Sequence, residues 1–159
     1  METLQLREVV ETDLPIFFAH QQDPGALHMA AFTVKDPADW HAFLAYSCRN
    51  LAEPTTITRT ILVEGEVAGS VLSYETEGVP EVSYWLGREF WGRGIATAAL
   101  ARFLAEVNPQ RPIFARVAKD NLGSRRVLEK CGFVVIGEDK GFANARGAEI
   151  EELVLELRT

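Results

Sequence analysis

The sequence predicts an α/β (α+β) protein of one domain, residues 1–159, with a mixed, mostly antiparallel sheet of about seven strands and helices on both faces. Three observations carry this. The strand-like runs Ile57–Val63, Val67–Tyr74 and Glu81–Leu86 follow one another with only turn residues between them, so they form an antiparallel meander. A helical stretch separates Glu81–Leu86 from the short apolar run Ile113–Val117, and a strand–helix–strand order makes those two strands parallel. Two helical stretches precede the meander, and two strand runs close the chain.

In order, Thr3–Val9 alternates apolar and polar residues and reads as the opening strand. Asp13 is placed to cap a helix with Pro15 in its first turn, and Leu14, Phe17 and Phe18 trace its face up to Asp23-Pro24-Gly25, which reads as a stop. Residues 24–35 read as a loop, with Met29 and Phe32 as either pocket walls or ordinary packing. His20 and His28 read as surface or hydrogen-bonded packing residues. Asp36-Pro37 repeats the cap-plus-proline start, and Trp40, Phe43, Leu44, Ser47, Cys48 and Leu51 then recur at helical spacing, which predicts a core-facing stripe.

Glu64-Gly65-Glu66 and Glu75–Pro80 turn the meander, and Asn108-Pro109 breaks the helix that follows it. Asn121 is an N-cap and Gly132 a helix C-terminal residue for the last helix. Phe133–Ile136 and Ile150–Leu157 read as the final strands, around a Gly141–Gly147 loop.

Composition narrows the function. An apolar fraction of 47% suffices for a core, and no run of about 18 apolar residues offers a membrane span. The charged N-terminus is unlike a signal peptide. Cys48 and Cys131 are far apart, with no metal-ligand spacing, and read as reduced thiols of a cytoplasmic protein. The net charge of −7 is uneven. Residues 88–130 hold nine Lys/Arg against four Asp/Glu, a net of +5, and the remainder holds seven against nineteen, a net of −12. The acidic bulk argues against nucleic-acid binding and either favours a cationic acceptor or merely keeps the protein soluble. The basic segment suits a phosphate-rich ligand.

That segment opens with a strand, a turn carrying Gly87, Gly92 and Gly94, and a helix beginning at Ile95. Free amides and the positive end of the helix dipole make such a turn an anion cradle, and glycines let a phosphate come close. A Walker loop is a near miss: Gly87 and Gly92 have its spacing, but Arg93-Gly94 replaces Lys-Ser/Thr. A dinucleotide fingerprint is another near miss, because Thr97 stands at its third glycine and no acidic residue lies around Phe114–Arg116, so a nucleotide-binding enzyme is the less favoured rival.

Trp91-Gly92-Arg93-Gly94-Ile95-Ala96 resembles the Q/R-x-x-G-x-G/A signature of the GNAT N-acetyltransferase superfamily, with Trp91 at the usual Gln/Arg position. Asn121-x-x-Ser124, followed by Gly132-Phe133, resembles that family's second motif. The tryptophan is similar to the branch of ribosomal-protein N-terminal acetyltransferases. The resemblance implies acetyl-CoA as cosubstrate, inserted between two splayed parallel strands. Its arm would lie on Tyr84, Trp85 and Leu86, its pyrophosphate on Trp91, Gly92, Arg93, Gly94, Ile95, Ala96 and Thr97, with further contacts to Asn121, Ser124 and Arg126. Arg88 and Arg125 are further phosphate candidates.

The implied reaction is direct attack of a primary amine, on a small molecule or a protein N-terminus, with no covalent enzyme intermediate and no metal. Many members place a tyrosine donor seven residues after the asparagine; here that residue is Leu128. Ser124 is then either the donor or a first-turn helix hydroxyl, and Glu81 either the general base or a strand-end carboxylate. Cys131 sits at a helix C-terminus, which disfavours a thiolate, and reads as packing. The competing class is a non-catalytic acyl-CoA-binding or sensing module. Acceptor identity and oligomeric state have no signal in the sequence.

Overall fold

Two Glu-Gly pairs set the meander. Glu64-Gly65 and Glu77-Gly78 all have positive φ (51°, 78°, 52° and 80°), the signature of two-residue hairpin turns whose twist matches the strands. They join β2 (Ile57–Val63), β3 (Glu66–Thr76) and β4 (Val79–Leu86). The second turn is therefore shorter than the Glu75–Pro80 expected, because β3 and β4 pair up to Thr76 and Val79. The structure, a computed structural model, describes residues 3–159; Met1 and Glu2, the start of the charged N-terminal run, lie outside the described residues.

Among the described residues the sheet has seven strands, ordered β1-β2-β3-β4-β5-β7-β6, with β1 at Leu4–Glu8, β5 at Ile113–Ala118, β6 at Val134–Ala143 and β7 at Ala148–Leu157. Of these described strands only β4 and β5 are parallel, and they share a single register pair, Glu81 with Phe114. Beyond it the two strands splay. The last two strands are longer than expected and leave only residues 144–147 as their loop. β6 is an edge strand with mostly exposed residues, so Gly137–Ala143 lacks the apolar alternation that reveals a half-buried strand.

On one face, α4 (Ile95–Arg102) and α5 (Leu122–Lys130) cover a core built on Ile61, Val71, Val82, Leu100, Phe103 and Leu155. After α4 the chain widens into a π-helical turn, Phe103–Val107, closed by the Asn108 amide on the Phe103 carbonyl. The opposite face carries α1 (Leu14–His20), α2 (Pro24–Ala30) and α3 (Trp40–Ala52).

This half departs most from expectation. Asp13 makes no cap bond to α1. It is buried, and its carboxylate accepts from Arg7 (2.7 and 2.9 Å), Thr60 Oγ1 (2.7 Å) and the Val10 amide (3.0 Å). α1 ends at His20, short of Asp23-Pro24, but α2 then starts where the sequence predicts a loop over residues 24–35, because Asp23 Oδ1 accepts from the Ala26 amide at 2.9 Å and Pro24 occupies the first helical position. The following helix begins at Trp40, capped by Asp39 and not by Asp36. None of the α3 residues is buried, so its apolar stripe is not core. Trp40 and Phe43 pack on Phe18 of α1, while Phe43, Ser47 and Leu51 of the stripe line a cavity beneath the helix.

Candidate active site

The glycine turn folds as an anion cradle. After Gly87 and one tight turn at Arg88–Phe90, Gly92 and Gly94 adopt φ of 72° and 75°, which a side chain would strain. A Cβ at either position would meet no atom within 4 Å, so the approach is open. The first backbone bond of α4 runs from the Ala98 amide to the Gly94 carbonyl at 3.1 Å. The amides of Ile95, Ala96 and Thr97 precede it, as the unpaired first-turn donors of a helix.

Trp91 is 40% exposed, and its indole N–H donates to the Leu86 carbonyl at 3.1 Å, tying the turn to the end of β4. Arg93 donates to the Glu89 carbonyl at 3.2 Å and lies over the Phe90 ring. Arg88 is committed elsewhere: it pairs with both Asp23 oxygens (2.5 and 2.8 Å) and stacks on Trp91 at 4.6 Å. The Arg88 bond, with the Ala26 amide, holds the Asp23 carboxyl well below its ordinary value. Arg125 pairs with Glu129 along α5 at 3.3 Å, and Arg126 is exposed.

The splay of β4 from β5 opens the sheet to a cavity of about 850 Å³. Strand residues alternate between faces. Val82, Tyr84 and Leu86 therefore belong to the α4–α5 face, and Glu81, Ser83 and Trp85 to the face under α1–α3. All six line the cavity, together with Ala115–Ala118 of β5. It passes from one face to the other.

On the α4–α5 face, Tyr84 Oη lies 3.0 Å from Ser124 Oγ. Burial pushes the Tyr84 phenol up, against the opposing pull of the Ser124 bond. Asn121 Oδ1 caps α5 through the Ser124 amide (3.2 Å), and its Nδ2 donates to the Met29 carbonyl (3.1 Å), joining α5 to α2. Burial also pushes the Cys131 thiol up, and its Sγ donates to the Thr97 carbonyl, which suits packing.

On the other face, Glu81 is 8% exposed, no solvated strand end. Arg116 Nε stands 3.7 Å from Glu81 Oε1, while its Nη1 reaches Glu152 at 2.8 Å and Asp139 at 3.2 Å. Tyr74 also lines this side; burial, with the Glu81 charge, pushes its phenol up to about 12. His20 packs under Gly87, with Glu89 3.9 Å from its Nε2, and burial lowers it. His28 offers its carbonyl to Arg146.

The structure thus brings Glu81, Ser124, Tyr84, Asn121, Trp91 and Gly92 to one cavity, with Met29 and Phe32 among its walls. Arg93, Gly94, Ile95, Ala96, Thr97 and Arg126 do not line it, so the cradle borders the cavity through Trp91 and Gly92. Sequence reasoning missed Tyr74, Arg116 and Glu152, and the hydroxyl pairing of Tyr84. The two-residue period of β4 was the available signal for Tyr84, since it puts Tyr84 and Glu81 on opposite faces.

Residues 3–134 match the family described as Acetyltransferase (GNAT) domain. No curated protein matches the chain in sequence. Among solved structures, the chain is similar to spermidine N-acetyltransferase from Vibrio cholerae in complex with CoA and spermine (16% identity, TM-score 0.83, covering 98% of this chain and 95% of that one). It is similar to Mycobacterium smegmatis RimJ in complex with CoA-disulfide (23%, 0.79, 98% and 82%). It is also similar to the microcin C7 self-immunity acetyltransferase MccE in complex with acetyl-CoA and AMP (17%, 0.78, 98% and 92%). At these identities the likeness is one of fold. The family match covers most of the chain and coincides with the cradle and the splayed strands: the chain belongs to the GNAT acetyltransferase family, and its enzyme class is that of an N-acetyltransferase.

Proposed function

We propose that this protein transfers an acetyl group from acetyl-CoA to a primary amine. The observation that carries the reading is the through-sheet cavity, with a glycine cradle at one end, a hydroxyl pair on one face and a buried carboxylate on the other. The residues fit acetyl-CoA: the first-turn amides of α4 stand open beside two glycines with no atom over them, and the splayed β4 leaves backbone groups for an extended arm.

Acetyl-CoA supplies an acyl group activated as a thioester. The amides of Ile95–Thr97 hold its pyrophosphate, aided by the basic Arg93 and Arg126, and Tyr84–Leu86 line its arm. Glu81 takes a proton from the acceptor ammonium and releases it to solvent. The freed nitrogen forms the new C–N bond as the C–S bond breaks, and it sheds its second proton through Glu81 to solvent. Ser124 gives a proton to the departing sulfur while recovering one from Tyr84, which burial keeps protonated. Tyr84 is refilled from solvent. Two unpaired thiols, Cys48 and Cys131, suit a cytoplasmic setting.

The test is calorimetric titration of acetyl-CoA into wild type, Gly94→Asn and Gly94→Asp, with amine-dependent thiol release measured alongside. Asn and Asp tolerate the left-handed backbone similarly, so the pair isolates charge. Gly94→Asp is expected to bind at least about tenfold more weakly than Gly94→Asn. Absent wild-type binding, or equal binding by the two variants, overturns the cradle assignment. Binding without turnover of any amine leaves a non-catalytic acyl-CoA-binding module.

A further inference from the structure

The charged residues lining the cavity, among those described, are three: Glu81, Arg116 and Glu152. They meet at one place. Arg116 is bonded to Glu152 at 2.8 Å and to Asp139, which does not line the cavity, at 3.2 Å, and it stands 3.7 Å from Glu81, so the lining itself has one carboxylate in excess. All other lining residues are neutral. On the same face the walls are Met29 and Phe32, Phe43, Tyr46 and Leu51 of α3, and Leu72 of β3. Tyr46 and Leu51 are about half exposed, and although Trp40 and Phe43 pack on Phe18, no residue of α3 is fully buried. An apolar wall facing a cavity is suited to an apolar ligand, which removes that surface from water.

We propose that the acceptor is a primary amine carried on an aromatic or branched aliphatic body. Its ammonium sits at Glu81, and its body lies against Phe43, Leu51 and Leu72. This rests on the amine-transfer reading above and adds the substrate class. One excess carboxylate matches one ammonium. A linear polyamine would bring a second ammonium to a neutral wall, where an unpaired charge is costly to bury. The carboxylates of Glu53 and Glu75 lie outside the cavity, in an adjoining polar groove that shares Tyr46, Asn50, Leu72 and Tyr74 with it.

The experiment compares phenethylamine, isoamylamine, putrescine and spermidine as acceptors, by thiol release with acetyl-CoA and by calorimetric binding to the CoA-saturated protein. Phenethylamine and isoamylamine are expected to exceed spermidine at least about tenfold in both kcat/KM and affinity. Leu51→Glu, at an exposed position with the fold checked by thermal melting, adds a carboxylate to the wall. It is expected to shift the phenethylamine-to-spermidine ratio about tenfold toward spermidine. Spermidine equal or better in wild type overturns the inference and leaves amine transfer standing. An unchanged ratio in Leu51→Glu overturns the placement against α3. Turnover of no amine by protein that binds acetyl-CoA overturns amine transfer, and this inference with it.

Discussion

Tyr84 Oη and Ser124 Oγ lie 3.0 Å apart on the face of the sheet opposite Glu81. One residue of β4 thus serves the hydroxyl side, and another, three positions earlier, serves the carboxylate side. The splay between β4 and β5 lets both reach one cavity.

If the two hydroxyls act as a unit, their removal is not additive. Ser124→Ala is expected to lower kcat about 10²-fold and Tyr84→Phe about tenfold, with KM for acetyl-CoA nearly unchanged. The double variant should be no slower than Ser124→Ala alone. Steady-state kinetics of the three variants checks this, and multiplied losses would separate the two roles.

Glu81→Gln removes the group assigned to take the acceptor proton while keeping its shape. A fall of about 10²-fold in kcat/KM at pH 7 is expected. The deficit should shrink as pH rises toward the amine's own pKa, because more acceptor then arrives already deprotonated. A pH series on both proteins gives the comparison. A deficit that does not change with pH would assign Glu81 to binding alone.

Asp13 anchors the α1 end of the fold. Burial tends to raise its carboxyl, but the bonds from Arg7, Val10 and Thr60 outweigh that and leave it below its ordinary value. A carboxyl depressed in the folded state contributes stability above its unfolded value of about 3.9, and that stability is lost as pH falls through the folded value. Asp13→Asn is expected to cost about 2 kcal/mol at pH 7 by urea unfolding. The difference from wild type should shrink below about pH 4.

Gly87 has an ordinary φ of −61° but no room. A Cβ there would stand 2.6 Å from His20 Nε2, and that imidazole is held at 10% exposure. Gly87→Ala is expected to cost about 1–3 kcal/mol by overpacking. His20→Ala should relieve much of the cost, which a double-mutant cycle in thermal or urea unfolding measures.

What the sequence determined by itself was local. Glycines at Gly92 and Gly94 specify a left-handed turn, and Asn121 specifies the start of α5, because φ preferences and caps act over two or three residues. The meander and its parallel crossover follow equally from short connections between strand-like runs. The tertiary structure decided what each apolar stripe faces. The α3 stripe has the periodicity of a core helix, yet it borders a cavity, since periodicity records which face is apolar and not what lies opposite. It also decided which side chains meet. Glu81, Arg116 and Glu152 are far apart in the chain, and only the β4–β5–β7 register brings their charges to one place. The same register leaves Glu81 buried, because strand order and splay, absent from any local pattern, fix its distance from water.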